Sequence, residues 1–366
     1  MSRNPSEFPI VDCDVHVYPK SNDEINKRLP KPWRGSYHGE SRPFNATGGF
    51  VLKGRDDAIP PGGGRAGSDP DFLREQHIDT YGIRHAILMP RAFCNMYPNP
   101  DYACLLATAF NDWMIDEWLD NNNDDGVFKG SINVAQQDPE AAAREIDRVG
   151  DHPHVVQVMV DSGARAPFGQ RQYYPIYEAC ERHGLPFAIH PGTDGSGINH
   201  QPTPGFPTHI IEWHTLLSSG FQAHLVSLIS EGVFERFPGL KVVLVEGGFA
   251  WLAPLIWRFD NHYREMRMEV PWMKRRPHEY LKDHVRITTQ PAENPDNPQH
   301  LKQILEMMDA ENVLLYASDY PHFDFDAPNR VFKGQPDDWR RSVFFENARE
   351  LYGLPVPTDQ EPATTS

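Results

Sequence analysis

Two histidines and several carboxylates in this 366-residue chain stand where short apolar runs end. Residues 8–13, FPIVDC, lead into Asp14 and His16. Residues 186–190, PFAIH, end in His190. Residues 241–246, KVVLVE, end in Glu246. Residues 313–319, VLLYASD, end in Asp319, with His322 three positions on. Neutral imidazoles with carboxylates bind Zn, Mn or Fe and leave positions open for water or substrate. One such histidine alone is more often structural; four convergent positions favour a site. Alternation along the first run predicts that Asp12, Asp14 and His16 point the same way.

These runs belong to a longer series. Residues 85–90, 127–134, 154–160 and 285–289 are also short and β-branched, which makes eight expected strands. Near-continuous apolar character fits parallel strands buried on both faces. Helical patterns separate them: residues 69–81, 102–121, 139–149, 172–183, 208–237, 249–268, 298–308 and 337–352. Asp138 and Pro139 form an N-terminal start signal, and Gly184 a C-terminal stop. The segment 208–237 is expected to break near Gly220 or Gly232. Strict strand–helix alternation predicts a (β/α)8 TIM barrel, whose active site lies at the C-terminal ends of its strands.

The chain is expected to form one domain with its core over residues 8–352. Residues 20–68, rich in Gly and Pro, read as a long insertion after strand 1, either a lid over the catalytic face or a surface excursion. Its glycines are not a phosphate loop, because no Gly-Lys-Ser/Thr follows. Residues 355–366 read as a disordered tail.

Formal charge is 35 basic minus 51 acidic residues, −16, which argues against nucleic acid or anionic membranes as partners. No apolar run is long enough to span a bilayer. The four cysteines form no C-x-x-C pair, which argues against a disulfide framework and fits a reducing cytoplasm.

The motifs VDCDVH (11–16), FAIHPG (187–192), VVLVEGG (242–248) and YASDYPH (316–322) resemble the amidohydrolase superfamily, in the branch of aminocarboxymuconate-semialdehyde decarboxylase. The resemblance spans roughly residues 8 to 352. It implies metal ligation by His16, His190 and Asp319. The usual first-strand pattern is His-x-His; here Asp14 holds the first position, as in members that decarboxylate aromatic acids. The strand-6 position is often a histidine acting as acid or base; here it is Glu246. Strand 4 ends in Asp161 and lacks the lysine that bridges two metals in other branches, so one ion is expected. Zinc ranks first, with manganese or iron as alternatives. The resemblance also implies a homodimer and a small-molecule substrate.

The residues leave several roles open. Asp14 is a ligand or orients a histidine. Asp12 reads as structural. Glu246 is a catalytic acid or caps the helix near Gly248. Asp319 ligates and takes a proton from water. His322 and His214 bind substrate or hold loops. Arg91 pairs with a substrate carboxylate or forms a surface salt bridge. Phe93, Tyr97, Trp213, Phe249 and Trp251 line a pocket or belong to the core. Metal-dependent hydrolysis of a small carboxylated, aromatic or cyclic substrate ranks first. Non-oxidative decarboxylation of an aromatic or unsaturated acid is second, and a non-catalytic ligand-binding barrel third.

Overall fold

The computed structural model describes residues 8–39 and 54–355. Eight parallel strands follow one another around a sheet in chain order. They are β1 (Ile10–Val17), β2 (Ile83–Pro90), β3 (Phe128–Asn133), β4 (Val155–Asp161), β5 (Phe187–His190), β6 (Val242–Leu244), β7 (Val285–Thr288) and β8 (Leu314–Leu315). β8 is shorter than its apolar run, but the chain beyond it stays beside β1. Cys13 N donates to Tyr316 O at 2.9 Å, Asp319 N to Asp14 O at 3.1 Å and His16 N to Tyr320 O at 2.7 Å. These bonds close the sheet into a TIM barrel.

Four helices start with the same two-residue device. Asp69, Asn99, Asp138 and Asn297 each cap a helix with the side chain, and a proline follows each in the first turn. The carboxylate or amide oxygen accepts an orphan N–H, and proline sits where no N–H is needed. Gly184 ends the helix Tyr174–His183 at φ 64°, a left-handed turn that favours glycine.

The segment after β5 breaks at Gly232, one of the two expected positions, and a second time at Leu216. Helices span Ile210–Thr215, Leu217–Ser230 and Val233–Arg236, and Gly220 lies inside a helix. A further helix, Pro277–His284, precedes β7. The insertion is described over residues 20–39 and 54–68. It carries a short helix, Asn22–Asn26, and a 3-10 turn, Asp56–Ala58. The expected tail lies outside the described residues except for Pro355.

Two apolar layers hold the barrel. The larger lies between sheet and helices, with Trp113, Trp118, Phe128 and Phe187 buried in it. The smaller fills the barrel interior with Val11, Cys13, Ile87, Met89, Ala188, Val243 and Leu315. Phe345, Ala348 and Leu354 from the C-terminal helical region join this inner cluster. Tyr352 adds a hydrogen bond to Gln157 Oε1 at 2.9 Å. The inner layer is therefore packed, not an open pore.

Asp12 corrects the alternation expected for β1. Val11 and Cys13 belong to the inner cluster, whereas Val15 and Val17 belong to the outer one. The pairing with β2 shifts register between Asp12 and Val15. This irregularity resets the alternation, so Asp14 turns inward directly after Cys13. Asp12 instead meets His77 Nε2 at 2.7 Å and accepts Ser318 N at 2.9 Å. It ties the neighbouring helix and strand to β1.

Candidate metal centre

His16 is fully buried, and its Nδ1 lies 3.2 Å from the carbonyl of Met89, its register partner on β2. Donation of Nδ1–H to that carbonyl turns the Nε2 lone pair toward the barrel mouth. His190 ends β5 beside Asp161 of β4. Its Nδ1 lies 2.8 Å from Pro191 O and 2.6 Å from Arg91 Nη1. With the proton given to Pro191 O, His190 Nε2 also presents a lone pair to the mouth.

The carboxylates converge on these two nitrogens. Asp14 Oδ1 is 3.3 Å from His16 Nε2, and Asp14 Oδ2 is 3.5 Å from His190 Nε2. Asp319 Oδ1 is 3.0 Å from His16 Nε2. Glu246 Oε2 is 3.0 Å from His190 Nε2 and 3.9 Å from His16 Nε2. Both oxygens of Asp14, Nε2 of His16 and His190, and Oδ1 of Asp319 are buried without a hydrogen bond. Desolvated polar atoms left in this state are costly unless something else satisfies them. Asp14, His16, His190 and Glu246 offer donor atoms that all lie within 4.8 Å of one another, and so do His16, Glu246, Asp319 and His322. The orphaned atoms and the mixed imidazole–carboxylate chemistry fit a divalent cation.

Charge crowding marks the protein without an ion. Burial, Glu246 and Asp14 push Asp319 well above the usual carboxylate range. Burial opposes ionisation of Glu246, but His190 and His16 outweigh it and hold that carboxyl well below its usual range. Burial and Arg91 depress His190, yet Asp14 and Glu246 prevail and raise it to about 9.

Glu246 and Asp319 both adopt φ 58°, a left-handed conformation uncommon for residues other than glycine. Glu246 N is held by Thr288 Oγ1 at 2.9 Å. The alternative role for Glu246, capping the next helix, is not seen: Glu293 Oε2 accepts Phe249 N at 3.0 Å and Ala250 N at 2.6 Å in the turn before the helix Leu252–Met266, which has no side-chain cap.

His322 stacks on His16 with ring centroids 4.2 Å apart. Its Nδ1 is 2.7 Å from Asp319 Oδ1, and its Nε2 is 2.9 Å from the Tyr18 hydroxyl. Arg91 is buried, against the surface salt bridge considered from sequence. Its Nη2 donates to Asp161 Oδ1 at 3.0 Å and to Pro191 O at 2.6 Å. His214 lies farther out, with Nε2 3.8 Å from Asp324 Oδ2.

A cavity of about 470 Å³ opens over the cluster, bordered by His190, Glu246, Asp319, His322, His214 and Arg91. Phe93, Trp213 and Phe323 supply aromatic walls. Phe249 is buried in the core, and Trp251 bonds to Gly247 and Gly248 carbonyls. Tyr97 packs edge-on to Tyr102. The insertion reaches the same cavity through His38, Gly54, Arg65 and Ala66.

Sequence reasoning passed over Tyr18, Gln290 and Asp324. Tyr18 continues the alternation of Asp14 and His16, a usable signal. Gln290 follows β7 and places Nε2 3.1 Å from Asp324 Oδ2 and 3.5 Å from Asp319 Oδ2. Polar residues at that strand end were not weighed, and nothing local marks Asp324.

Residues 11–354 match the model of the family described as amidohydrolase. The chain belongs to the amidohydrolase family of enzymes. It is 25% identical over 244 residues to a gamma-resorcylate decarboxylase of Polaromonas sp. strain JS666, covering 62% of this chain and 71% of that one. The crystal structure of an amidohydrolase from Mycobacterium avium subsp. paratuberculosis superposes with a TM-score of 0.71 at 20% identity, covering 95% of this chain and 100% of that one. A dihydroxybenzoic acid decarboxylase from Polaromonas sp. JS666, crystallised with manganese and the inhibitor 2-nitroresorcinol, gives 0.66 at 19% identity, covering 94% and 97%.

Proposed function

We propose that this chain is a non-oxidative, metal-dependent decarboxylase of an aromatic acid. The observation that carries the reading is the cavity at the carboxylate–imidazole cluster, which has aromatic walls at Phe93, Trp213 and Phe323 and includes Arg65 and Arg91 in its lining. That combination suits a flat ring bearing a carboxylate. Similarity to decarboxylases of hydroxybenzoic acids supports this reading over hydrolysis, which ranked first from sequence.

Asp14, His16, His190 and Asp319 would hold the ion. A bound divalent cation would supply Lewis-acid attraction for the substrate carboxylate and an adjacent oxygen. Manganese moves ahead of zinc, because the similar decarboxylase structure contains manganese. The aromatic walls hold the ring in place. The carbon–carboxylate bond breaks, carbon dioxide leaves, and the electron pair stays on the ring. Asp319 delivers the proton that forms the new C–H bond. His322, whose Nδ1 approaches Asp319 Oδ1 to 2.7 Å as an ion pair, and the Tyr18 hydroxyl beyond it would resupply that proton once the ring aligns.

Hydrolysis is the second reading, favoured by Glu246 beside His190, where its ionised carboxylate could take a proton from an attacking water. Four free cysteines accord with a reducing, cytoplasmic setting. A homodimer is proposed on the resemblance, and light scattering tests it. Among the described residues no helix is long and apolar enough to cross a membrane.

The test is turnover of manganese-loaded protein on a panel of hydroxybenzoic acids in deuterated, oxygen-18 water. Carbon dioxide release with solvent hydrogen on the ring is expected. Cleavage of amides, lactones or β-diketones with labelled oxygen in the product, and no action on the acids, would overturn the reading.

A further inference from the structure

We infer that Glu246 is itself a ligand of the metal, so that three carboxylates and two imidazoles surround the ion. The inference rests on the cluster being a metal site, as proposed above, and is independent of which bond the enzyme breaks.

Donor spacing is the first argument. Six ligands at bonds of roughly 2.1 Å place neighbouring donors about 3.0 Å apart and opposite donors about 4.2 Å apart, whereas four tetrahedral ligands stand about 3.4 Å apart. The pairs His16–Asp319 and His190–Glu246 are each separated by 3.0 Å, and Glu246 lies 3.9 Å from His16. Two pairs are therefore closer than a tetrahedral set requires, and the spacing of Glu246 from His16 approaches that of opposed ligands. Glu246 occupies one side of this arrangement as closely as Asp319 occupies the other.

Backbone conformation is the second. Gly247 and Gly248 follow Glu246, yet the left-handed position at φ 58° falls on the glutamate. Such a conformation is strained for a non-glycine residue and persists where the surroundings impose it. Thr288 Oγ1 accepts Glu246 N and holds this turn, which carries the carboxylate to His190 Nε2. The buried orphan oxygens of Asp14 lie 3.3 Å from His16 Nε2 and 3.5 Å from His190 Nε2, and Asp319 Oδ1 lies 3.0 Å from His16 Nε2.

A third carboxylate makes the donor set oxygen-rich. Such a set, with more than four ligands, suits Mn²⁺ better than a four-coordinate, nitrogen-dominated site does, and moves selectivity away from Zn²⁺.

Calorimetric titration of the metal-free protein with Mn²⁺, and with Zn²⁺ in competition, tests the assignment. Circular dichroism confirms the fold of each variant. The wild type should bind one Mn²⁺ per chain. Glu246→Gln removes the charge, and Glu246→Asp keeps it but withdraws the oxygen by one methylene. Both should weaken Mn²⁺ binding at least ten-fold and alter the electron paramagnetic resonance spectrum of the bound ion. Glu246→His should raise the Mn²⁺-to-Zn²⁺ ratio of dissociation constants at least ten-fold. Wild-type affinity and spectrum in E246D would overturn ligation and leave only an electrostatic role. No stoichiometric metal in the wild type would overturn the metal reading itself, and the inference with it.

Discussion

Arg91 Nη1 lies 2.6 Å from Nδ1 of His190 while its Nη2 bonds to Asp161 and to the Pro191 carbonyl. One guanidinium thus bonds to the backbone beside a candidate ligand and packs against its ring from the side away from the cluster. The fit is close: a Cβ at Gly192 would stand 1.9 Å from Arg91 Nη2. Arg91 also borders the cavity, so it can position His190 and meet substrate from the same group.

Lysine cannot reproduce this fork. Arg91→Lys should lower metal affinity about 10- to 100-fold, as loss of a partner that orients a ligand does. Arg91→Met leaves Asp161 buried without its cation and should cost about 3–5 kcal/mol of stability. Calorimetric titration and denaturant unfolding measure the two effects. Unchanged values in both variants would show that the contact carries nothing.

Metal removal should destabilise the fold. A saturating ion at about 100 times its dissociation constant contributes about 2.7 kcal/mol by mass action. Unfolding with and without a chelator should therefore show separate midpoints in the wild type. His16→Ala and His190→Ala should bring the two curves together. A chelator-dependent midpoint that survives in both variants would place the ion elsewhere.

His322→Gln should reduce turnover about 10²- to 10⁴-fold, the usual range for loss of a proton carrier. Metal content should stay near that of the wild type, because His322 reaches the cluster through Asp319. Turnover falling only in step with lost metal would assign His322 to the ion instead.

His224 should make the protein sensitive to acid. Its Nε2 bonds to Ser162 O at 2.8 Å, its Nδ1 accepts Phe168 N at 3.2 Å, and its ring stacks on Phe168. Burial lowers it from 6.5 to about 4. The unfolded chain therefore takes up a proton near pH 6.5 that the native chain refuses until about pH 4. Stability is full above the higher value and falls as pH drops between the two, by about 3 kcal/mol in all. His224→Gln should flatten the curve by that amount. Parallel unfolding curves for variant and wild type between pH 7 and 4 would remove His224 from the account.

The site was readable from sequence where chemistry and strand endings coincide. His16, His190, Glu246 and Asp319 each follow an apolar run, and the barrel turns that local sign into proximity. Asp12 misled because the register shift in β1 interrupts a simple alternation. The cap of the Phe249 turn was unreadable because Glu293 comes from a segment more than forty residues on, and no local pattern announces it. The helix Pro277–His284 was missed because its polar sequence, PHEYLKDH, shows only a short apolar stripe. Gly220 read as a break, but tertiary packing carries a helix through it.

The bonds that join the chain beyond β8 to β1 also set an order in time. Tyr18 and His322, partners beside the cluster, are 304 residues apart in sequence. On a ribosome, the first half of the ligand set emerges long before the second. Most of the barrel wall is therefore synthesised before Asp319 arrives, and an ion held by the whole candidate set can be captured only once β8 has emerged. Metal occupancy would then report that the chain has been made through β8 and the barrel closed, and a chain stalled before β8 would hold an ion without Asp319.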